Sequence, residues 1–254
     1  MKTVIGIPAR MGSSRFPGKP LAQICGMSMI EHVYKRCTFA DNVDEIFIAT
    51  CDQEIVIEAD NFGAKSIMTD PEIQRPALRV FAAAEELDLD DEDIVITVQG
   101  DEPLFHPDMI NETVEPLLNE KDIFVSNIVT DILSEKDWKD PNNVKVVTDN
   151  DMNAIYMSRN PIPSTYHEEK RGKRFLQVCV MPIRWHFFKK FNNLKPKGLE
   201  LAESVEMLRA LEYGYKVRMV YSKSQTLSVD TQEDLIKAET VMLNDVFFMK
   251  YKKE

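Results

Sequence analysis

The stretch IPARMGSSRFPGKPL, residues 7–21, sets the fold of this chain. An apolar run over residues 3–7 leads into it and predicts a buried β-strand, and apolar side chains at helical spacing over residues 29–34 predict a helix after it. The loop between them contains no acid and three cations, namely Arg10, Arg15 and Lys19. Glycines such as those of this loop let a backbone approach a ligand closely, and backbone N–H groups that lead into a helix favour an anion. The loop therefore predicts a polyphosphate site at the carboxyl end of the first strand, and the alternative is a solvated basic turn.

The first half of the chain alternates between strand and helix patterns. Further strands are predicted over residues 45–50 and 94–98, and helices over residues 53–62, 76–87 and 108–118. Because parallel strands need a crossover connection, this order predicts an α/β fold with a Rossmann-like, mostly parallel sheet flanked by helices.

The second half is less regular. A strand is predicted over residues 175–183 and a helix over residues 201–213, whereas residues 160–173 are rich in proline and charge and predict a loop or arm. Since there is no repeat and no obvious linker, we expect residues 1–254 to form a single domain, with a smaller arm or subdomain around residues 130–185.

The composition narrows the functional class. A net charge of −11 argues against a general nucleic-acid binder, so an anionic ligand must be met by local cations. No apolar run approaches the roughly 20 residues needed to span a bilayer, and no secretory signal precedes the first strand, so we expect a cytoplasmic protein with no membrane partner. The four cysteines are scattered without a C-x-x-C pair, so neither zinc nor a disulfide framework is indicated.

An acidic segment, VQGDEP at residues 98–103, follows the most apolar strand. It places Asp101 just beyond the carboxyl end of that strand, where ligands bind in open α/β sheets, and Gly100 is expected to leave room for a close ligand. A carboxylate that faces a basic polyphosphate loop is consistent with Mg²⁺ between them, because Mg²⁺ typically uses one or two carboxylates together with substrate phosphates. The alternative for Asp101 is the cap of a turn, and Glu102 is expected to face solvent or to support Asp101.

A second acid, Asp230, precedes the helix predicted after residue 231. The residues that follow it suit the first turn of a helix, so its local pattern favours a helix N-cap over a metal ligand.

The loop at residues 7–21 resembles the signature I-P-A-R-x-x-S-x-R-x-P-G-K-P-L of the sugar nucleotidyltransferases, and most closely that of the CMP-Kdo synthetase family. Every fixed position of that signature is met. Other segments resemble family motifs too, namely VQGDEP at residues 98–103, YMSRNPIP at residues 156–163, the L-E-x-x-E-x-x-E-x-L-R spacing over residues 199–209 and VDTQEDL at residues 229–235. The matches occur in the family's order and cover most of the chain.

This resemblance implies an enzyme that transfers CMP from CTP to the anomeric hydroxyl of Kdo, a 2-keto sugar acid, with release of pyrophosphate. On the nucleotide side it implies Pro8, Ala9, Arg10, Arg15 and Lys19, with Gln74 and Arg79 in a loop that closes on the nucleotide. On the acceptor side it implies Gln99, Arg159 and Glu206. Asp101 and Asp230 are implied as Mg²⁺ ligands, and Arg10, Lys19 and Asp101 as the catalytic residues.

Further implications concern assembly and biological role. Family members are usually dimers, so the arm around residues 130–185 is expected to serve both acceptor binding and the contact between two copies. The product is expected to be a precursor of a surface polysaccharide, either capsule or lipopolysaccharide.

Departures from the family pattern cluster where the acceptor is expected. The family's H-Q-S-G-T-D-R is IQRPALR at residues 73–79, its H-x-G-x-Y is QVCVM at residues 177–181, and Met207 replaces a glutamine. Because loss of hydroxyl-binding groups changes which substrate a site accepts, two acceptors remain open. One is Kdo or a close amino variant, and the other is a small phosphonate, phosphate or phosphoramidate acid. A third alternative, an inactive nucleotide-binding homologue, predicts erosion of the cationic loop or of Asp101, and neither is eroded.

Overall fold

The computed structural model describes residues 1–12, 16–166 and 172–252. Its strands are β1 (Thr3–Ala9), β2 (Gln23–Ile24), β3 (Met27–Ser28), β4 (Glu45–Thr50), β5 (Lys65–Met68), β6 (Ile94–Val98), β7 (Ser126–Asp131), β8 (Lys145–Thr148), β9 (Ala154–Ser158), β10 (Phe175–Val178), β11 (Val180–Arg184) and β12 (Arg218–Tyr221). Its α-helices are α1 (Met29–Cys37), α2 (Gln53–Asn61), α3 (Pro76–Ala84), α4 (Asp108–Asn119), α5 (Glu135–Lys139), α6 (Trp185–Asn192), α7 (Gly198–Glu203), α8 (Met207–Glu212), α9 (Gln232–Met242) and α10 (Phe248–Tyr251). None of these helices is long and apolar enough to cross a membrane.

The first sheet is mostly parallel and has the strand order β11-β6-β1-β4-β5. β1 pairs in parallel with β4 and β6, β4 pairs in parallel with β5, and β11 runs antiparallel to β6. Every residue of β6, with sequence IVITV, is buried, as expected of a parallel strand whose two faces are both covered. The predicted α/β class with a Rossmann-like, mostly parallel sheet is therefore confirmed.

A second sheet, with the order β12-β7-β10-β8-β9, contains most of the predicted arm around residues 130–185. β12 is parallel to β7, and the remaining pairs are antiparallel. Asn127 of β7 joins the two sheets, because its Nδ2 donates to the carbonyl oxygen of Val178 at the end of β10 at 3.0 Å and to that of Val180 in β11 of the first sheet at 2.9 Å. The irregular second half of the sequence thus folds as a sheet docked against the first.

Two predicted elements of the second half are wrong, and both errors lie beside the site. The strand predicted over residues 175–183 is two strands in different sheets, separated at Cys179, whose carbonyl oxygen accepts from the Gln99 N–H at 3.2 Å. The helix predicted over residues 201–213 is also two, α7 and α8, because Ser204 adopts a left-handed conformation with φ 54°. The predicted loop at residues 160–173 has no helix or strand in its described part, and residues 167–171 lie outside the described residues.

Candidate active site

A cavity of about 650 Å³ opens at the carboxyl ends of β1 and β6, where the two sheets meet. Most of the predicted site residues line it: Pro8, Ala9, Arg10, Lys19, Gln74, Gln99, Asp101, Arg159, Glu206 and Asp230. Arg15 lies outside the described residues. Arg79 does not belong to the described part of the cavity wall. The fold therefore gathers into one space residues that are far apart in the sequence.

Two glycines lie near the part of this cavity that contains Arg10, Lys19 and Asp101, which the sequence predicts to hold the nucleotide and which is called the nucleotide end below. Gly18 has φ 73°, a left-handed conformation that glycine adopts without strain, and it starts the short 3₁₀ turn Lys19–Leu21. At Gly100, a Cβ would stand 3.0 Å from the carbonyl oxygen of Pro8. A Cβ at Gly100 would therefore crowd the end of β1. Gly100 itself lines the cavity, and the room that it is expected to leave for a ligand stays a prediction.

Lys19 stands between two carboxylates, Asp101 and Asp230, that are far apart in the sequence. Its Nζ lies 2.6 Å from Asp101 Oδ2 and 3.2 Å from Asp230 Oδ1, and all three side chains are mostly shielded from solvent. Burial disfavours the charged ammonium, but the two acids outweigh that effect and the pKa of Lys19 is raised. Lys19 is therefore a fixed positive charge in the cavity.

Asp230 can face Lys19 because the next residue caps the helix. The Thr231 side chain accepts from the Asp234 N–H at 3.2 Å, and the Asp234 carboxylate accepts from the Thr231 N–H at 3.1 Å, which is a capping box. The N-cap interpretation favoured by the local pattern is thus wrong for Asp230, whose carboxylate points into the cavity instead.

The two acids fit Mg²⁺ as a donor set. Asp101 and Asp230 each bring an oxygen to within 3.2 Å of one point, the Lys19 Nζ, so both can meet one small cation. In the described ranges no three His, Cys, Asp or Glu side chains are grouped so as to hold a metal ion. A site of two carboxylates is the kind that Mg²⁺ completes with substrate phosphates.

The loop before α3 reaches the cavity through Gln74, whose Oε1 accepts from Arg10 Nη1 at 2.6 Å. Arg79, in contrast, is buried beneath this loop. It is 3% exposed, and its guanidinium donates to Thr69 Oγ1 and to the Ile73 carbonyl oxygen, both at 2.5 Å. This geometry supports the loop from beneath and does not place Arg79 on a ligand.

At the other end, Arg159 is on the cavity wall but most of its donors are engaged by backbone. Its Nε donates to the Glu203 carbonyl oxygen at 2.7 Å and its Nη1 to that of Pro141 at 2.9 Å, while its own N–H donates to the Glu203 carboxylate at 2.8 Å. Arg159 thereby joins β9 to α7 and to the loop before β8.

Comparison with known proteins identifies the family of this chain. A family model described as cytidylyltransferase matches residues 4–224. The chain belongs to the cytidylyltransferase family. It is accordingly an enzyme, a CTP-dependent nucleotidyltransferase, as the resemblance predicts.

Individual relatives agree over nearly the full length. The 3-deoxy-manno-octulosonate cytidylyltransferase of Syntrophus aciditrophicus (strain SB) is 38% identical over 242 residues, 95% of this chain and 98% of the relative. The 8-amino-3,8-dideoxy-manno-octulosonate cytidylyltransferase of Shewanella frigidimarina (strain NCIMB 400) is 39% identical over 240 residues, 94% of this chain and 98% of the relative. A solved CMP:2-keto-3-deoxy-manno-octonic acid synthetase, complexed with CTP, superimposes with a TM-score of 0.89 at 33% identity, covering 96% of this chain and 99% of that one.

This cytidylyltransferase also has cavity residues to which the sequence assigns no binding role. The expectation that Glu102 faces solvent is wrong. Glu102 is buried, Thr226 Oγ1 donates to its Oε2 at 2.6 Å, and burial raises its pKa to about 8. Thr97 and Asn127 line the cavity beside Met181 and Val180, in the part that the sequence predicts to receive the acceptor and that is called the acceptor end below. The Thr97 Oγ1 and Asn127 Oδ1 atoms are buried without a hydrogen-bond partner in the described structure. Glu102 lies in the VQGDEP segment, but no local motif marks Thr97 or Asn127, which become neighbours only where the two sheets meet.

Glu206, which the resemblance assigns to the acceptor, also carries a buried oxygen without a partner in the described residues. Its Oε2 accepts from the Ala77 N–H at 3.3 Å, and its buried Oε1 lacks a hydrogen-bond partner in the described ranges. Burial raises the pKa of Glu206 to about 7 against the opposing effects of that N–H and of Arg75. Three buried oxygens at one end of the cavity are therefore available to a polar ligand.

Proposed function

We propose that this enzyme transfers CMP from CTP to a Kdo-like sugar acid, as a step in making a precursor of a surface polysaccharide, capsule or lipopolysaccharide. The observation that carries the proposal is one cavity with Lys19, Asp101 and Asp230 at one end and Arg159 and Glu206 at the other. The names of relatives at 38% and 39% identity, which specify 3-deoxy-manno-octulosonate and its 8-amino form, support it.

The reaction makes one bond and breaks another. The acceptor's anomeric hydroxyl oxygen bonds to the α-phosphorus of CTP, the bond from that phosphorus to the bridging oxygen of the β-phosphate breaks, and the hydroxyl proton leaves to solvent. Negative charge grows on the oxygens around the α-phosphorus and on the departing pyrophosphate. Arg10 and Lys19 stand at the end of β1 and would stabilise that charge more strongly than the charge of the ground state.

We further propose Mg²⁺ as the cofactor, with Asp101 and Asp230 as its protein ligands. When bound, it supplies positive charge that offsets the triphosphate and polarises its oxygens. The support is the convergence of the two carboxylates on the position of the Lys19 ammonium. Removal of divalent cations with EDTA should abolish pyrophosphate release, and full activity in EDTA would refute this part.

We also propose that the enzyme works as a cytoplasmic homodimer. CTP is a cytosolic nucleotide, and two large apolar side chains in the arm, Leu133 and Ile155, are 76% and 62% exposed. We expect these side chains to be covered by the partner chain in the dimer. Light scattering should give the mass of two chains for the native protein and a lower mass for Ile155→Lys. A native mass of one chain would refute the dimer.

A second candidate is the same chemistry on a small phosphonate, phosphate or phosphoramidate acid. The observation that favours it is the apolar wall of the acceptor end, where Met181 and Met207 are 8% and 2% exposed at positions where the resemblance implies hydroxyl-binding groups. Such a wall suits an acceptor with fewer hydroxyls than Kdo.

The deciding experiment measures pyrophosphate release with CTP and Mg²⁺ on a panel of acids, with the nucleotide product identified by mass spectrometry. Kdo and its 8-amino form represent the first candidate, and phosphonoacetate and phosphoramidate represent the second. We expect kcat/KM on the order of 10⁴ M⁻¹s⁻¹ or more for a sugar acid, as for a good enzyme on its own substrate. Release with the small acids alone would favour the second candidate, and CTP binding without release for any acid would indicate an inactive homologue.

A further inference from the structure

The loop before α3 sends two neighbouring side chains to opposite ends of the cavity. Gln74 turns toward the nucleotide end, where it meets Arg10 at 2.6 Å. Arg75 turns toward the acceptor end, where its Nη1 donates to Ser204 Oγ at 2.8 Å. Both residues are part of the cavity wall. One short loop therefore contacts both halves of the site.

Arg159 also reaches Ser204, but with few donors left. Besides its bonds to Glu203 and Pro141, it donates from Nη1 to the Asn142 carbonyl oxygen and from Nη2 to that of Ser204, both at 3.4 Å. All three guanidinium nitrogens of Arg159 donate to backbone carbonyl oxygens, in four hydrogen bonds. The Arg159 side chain therefore supports the cavity wall and has few donors left for a ligand.

The Arg75 side chain, in contrast, has few partners among the described residues. Its one hydrogen bond is to a neutral hydroxyl, and its nearest ion-pair partner in the described structure, Glu200 Oε1, is 3.9 Å from its Nε. That carboxylate is already paired, because Arg209 donates to both of its oxygens at 2.6 Å and both partners are buried. The Arg75 side chain is 28% exposed and lines the cavity, so its planar fork is available to a ligand.

The surroundings of Arg75 favour an ion pair between its guanidinium and a ligand. Met181 and Met207 are buried beside the same end of the cavity, and a low-polarity wall raises the strength of an ion pair formed against it. Glu206, two residues after Ser204, brings a carboxyl group with an unpartnered oxygen, which suits a hydroxyl or ammonium of the same ligand.

We propose that Arg75 is the residue that binds the acid group of the acceptor, and that Arg159 is a positioning residue that fixes Ser204 and α7. The inference rests on the proposed function for its acceptor, and it differs from the role that the resemblance implies for Arg159. The ligand chemistry is an oxyanion, either a carboxylate or a phosph(on)ate, held by two parallel N–H bonds.

The central experiment compares Arg75→Gln with the native enzyme in steady-state assays. We expect the KM for the acid to rise at least tenfold, the KM for CTP to stay within twofold, and Tm to stay unchanged, because Arg75 is half-buried and makes one neutral hydrogen bond. Arg75→Lys should recover part of the loss, since it restores the charge without the fork.

Two matched controls define the effect. Gln74→Ala, the neighbouring substitution, should raise the KM for CTP and leave the KM for the acid unchanged. Lys189→Gln removes an exposed cation paired with Asp91 at 2.5 Å outside the cavity, and it should change neither KM.

Binding measurements separate the sources of the anion and the two proposals. Calorimetry with Kdo and with phosphonoacetate, without nucleotide, should show binding of at least one acid to the native enzyme and its loss in Arg75→Gln. Kdo alone indicates a carboxylate ligand, and phosphonoacetate alone indicates a phosph(on)ate. If no sugar acid is turned over but acid binding still depends on Arg75, the Kdo proposal fails and this one stands.

Three results would overturn the inference. The first is an unchanged acid KM and affinity in Arg75→Gln. The second is a native enzyme that binds neither acid. The third is loss of acid binding in Arg159→Gln at unchanged Tm while Arg75→Gln binds normally, which would assign the acid group to Arg159.

Discussion

The two ends of the cavity are built in different ways. The nucleotide end is lined by Pro8, Ala9, Arg10 and Lys19 of the first loop, by residues 99–102 and by Asp230, and its charges are paired at short range through Lys19. The acceptor end is assembled from separate segments of both sheets. It contains Arg159, which donates to backbone carbonyl oxygens, the buried Met181 and Met207, and buried side-chain oxygens without a partner in the described residues. The contrast indicates that short ion pairs fix the charged side chains of the nucleotide end, whereas we expect the acceptor end to be where this chain can differ in substrate.

The largest expected effect tests the nucleotide end. Asp101→Asn removes a charge from the Lys19 cluster while keeping the side-chain shape and the backbone bond from Val229 to the Asp101 carbonyl oxygen. Turnover should fall at least about 10³-fold, because charge stabilisation at the α-phosphorus is lost, whereas Tm without ligand should change little.

The control for that variant is Asp91→Asn, which breaks an exposed ion pair with Lys189 and should leave turnover unchanged. Near-normal turnover of Asp101→Asn at saturating Mg²⁺ would show that the proposed metal site is wrong.

The next effect distinguishes the two ends from each other. Lys19→Ala and Arg10→Ala should weaken CTP binding by about 10- to 100-fold, as expected for the loss of a charge-assisted phosphate contact, and should change acceptor binding much less. Calorimetry with CTP and with the acid, measured separately, gives both numbers. Equal losses for the two ligands would contradict the division of the cavity into two ends.

The nucleotide end could be predicted from sequence because its information is local. The strand ends, the glycine turn and the cations lie within residues 7–21, and the apolar strand β6 runs directly into Asp101. Lys19, Asp101 and Asp230 were each predictable by motif, but their convergence at 2.6 and 3.2 Å is a property of the fold.

The acceptor end could not be predicted because its form depends on tertiary contacts. The strand break at Cys179 arises where the chain passes from one sheet to the other, and an apolar run carries no sign of that step. The helix break at Ser204 is a left-handed residue without glycine, so the usual sequence signal for a helix end is missing. Ser204 and Glu206 reach the cavity because of that break.

A smaller effect tests a residue between the two ends. Arg79 is buried under the loop that carries Gln74, with its guanidinium on Thr69 and the Ile73 carbonyl oxygen. Arg79→Met should lower the free energy of unfolding by about 2 kcal/mol, because buried carbonyl acceptors lose a charged donor, and should weaken CTP binding only as the loop loosens. Urea denaturation and CTP calorimetry measure the two effects. Lost CTP affinity at unchanged stability would instead make Arg79 a direct nucleotide ligand.

The smallest effect concerns the pH dependence of the acceptor end. Burial raises the pKa of Glu206 to about 7, from an ordinary value of 4.5. Between these two values the unfolded chain loses the proton while the folded protein keeps it, so the folded state binds more protons and its stability falls as pH rises through that window. Glu206→Gln cannot ionise and should escape this loss. Relative to native, its free energy of unfolding should rise between pH 5 and pH 8 by on the order of 1–2 kcal/mol, which is less than the full shift implies because the residue borders an open cavity. Urea denaturation at both pH values measures the difference, with exposed Glu54→Gln as the control, for which no such rise is expected. A Glu206→Gln difference that is equal at pH 5 and pH 8 would show that Glu206 ionises in the folded protein as it does in the unfolded chain, and that burial does not hold its proton.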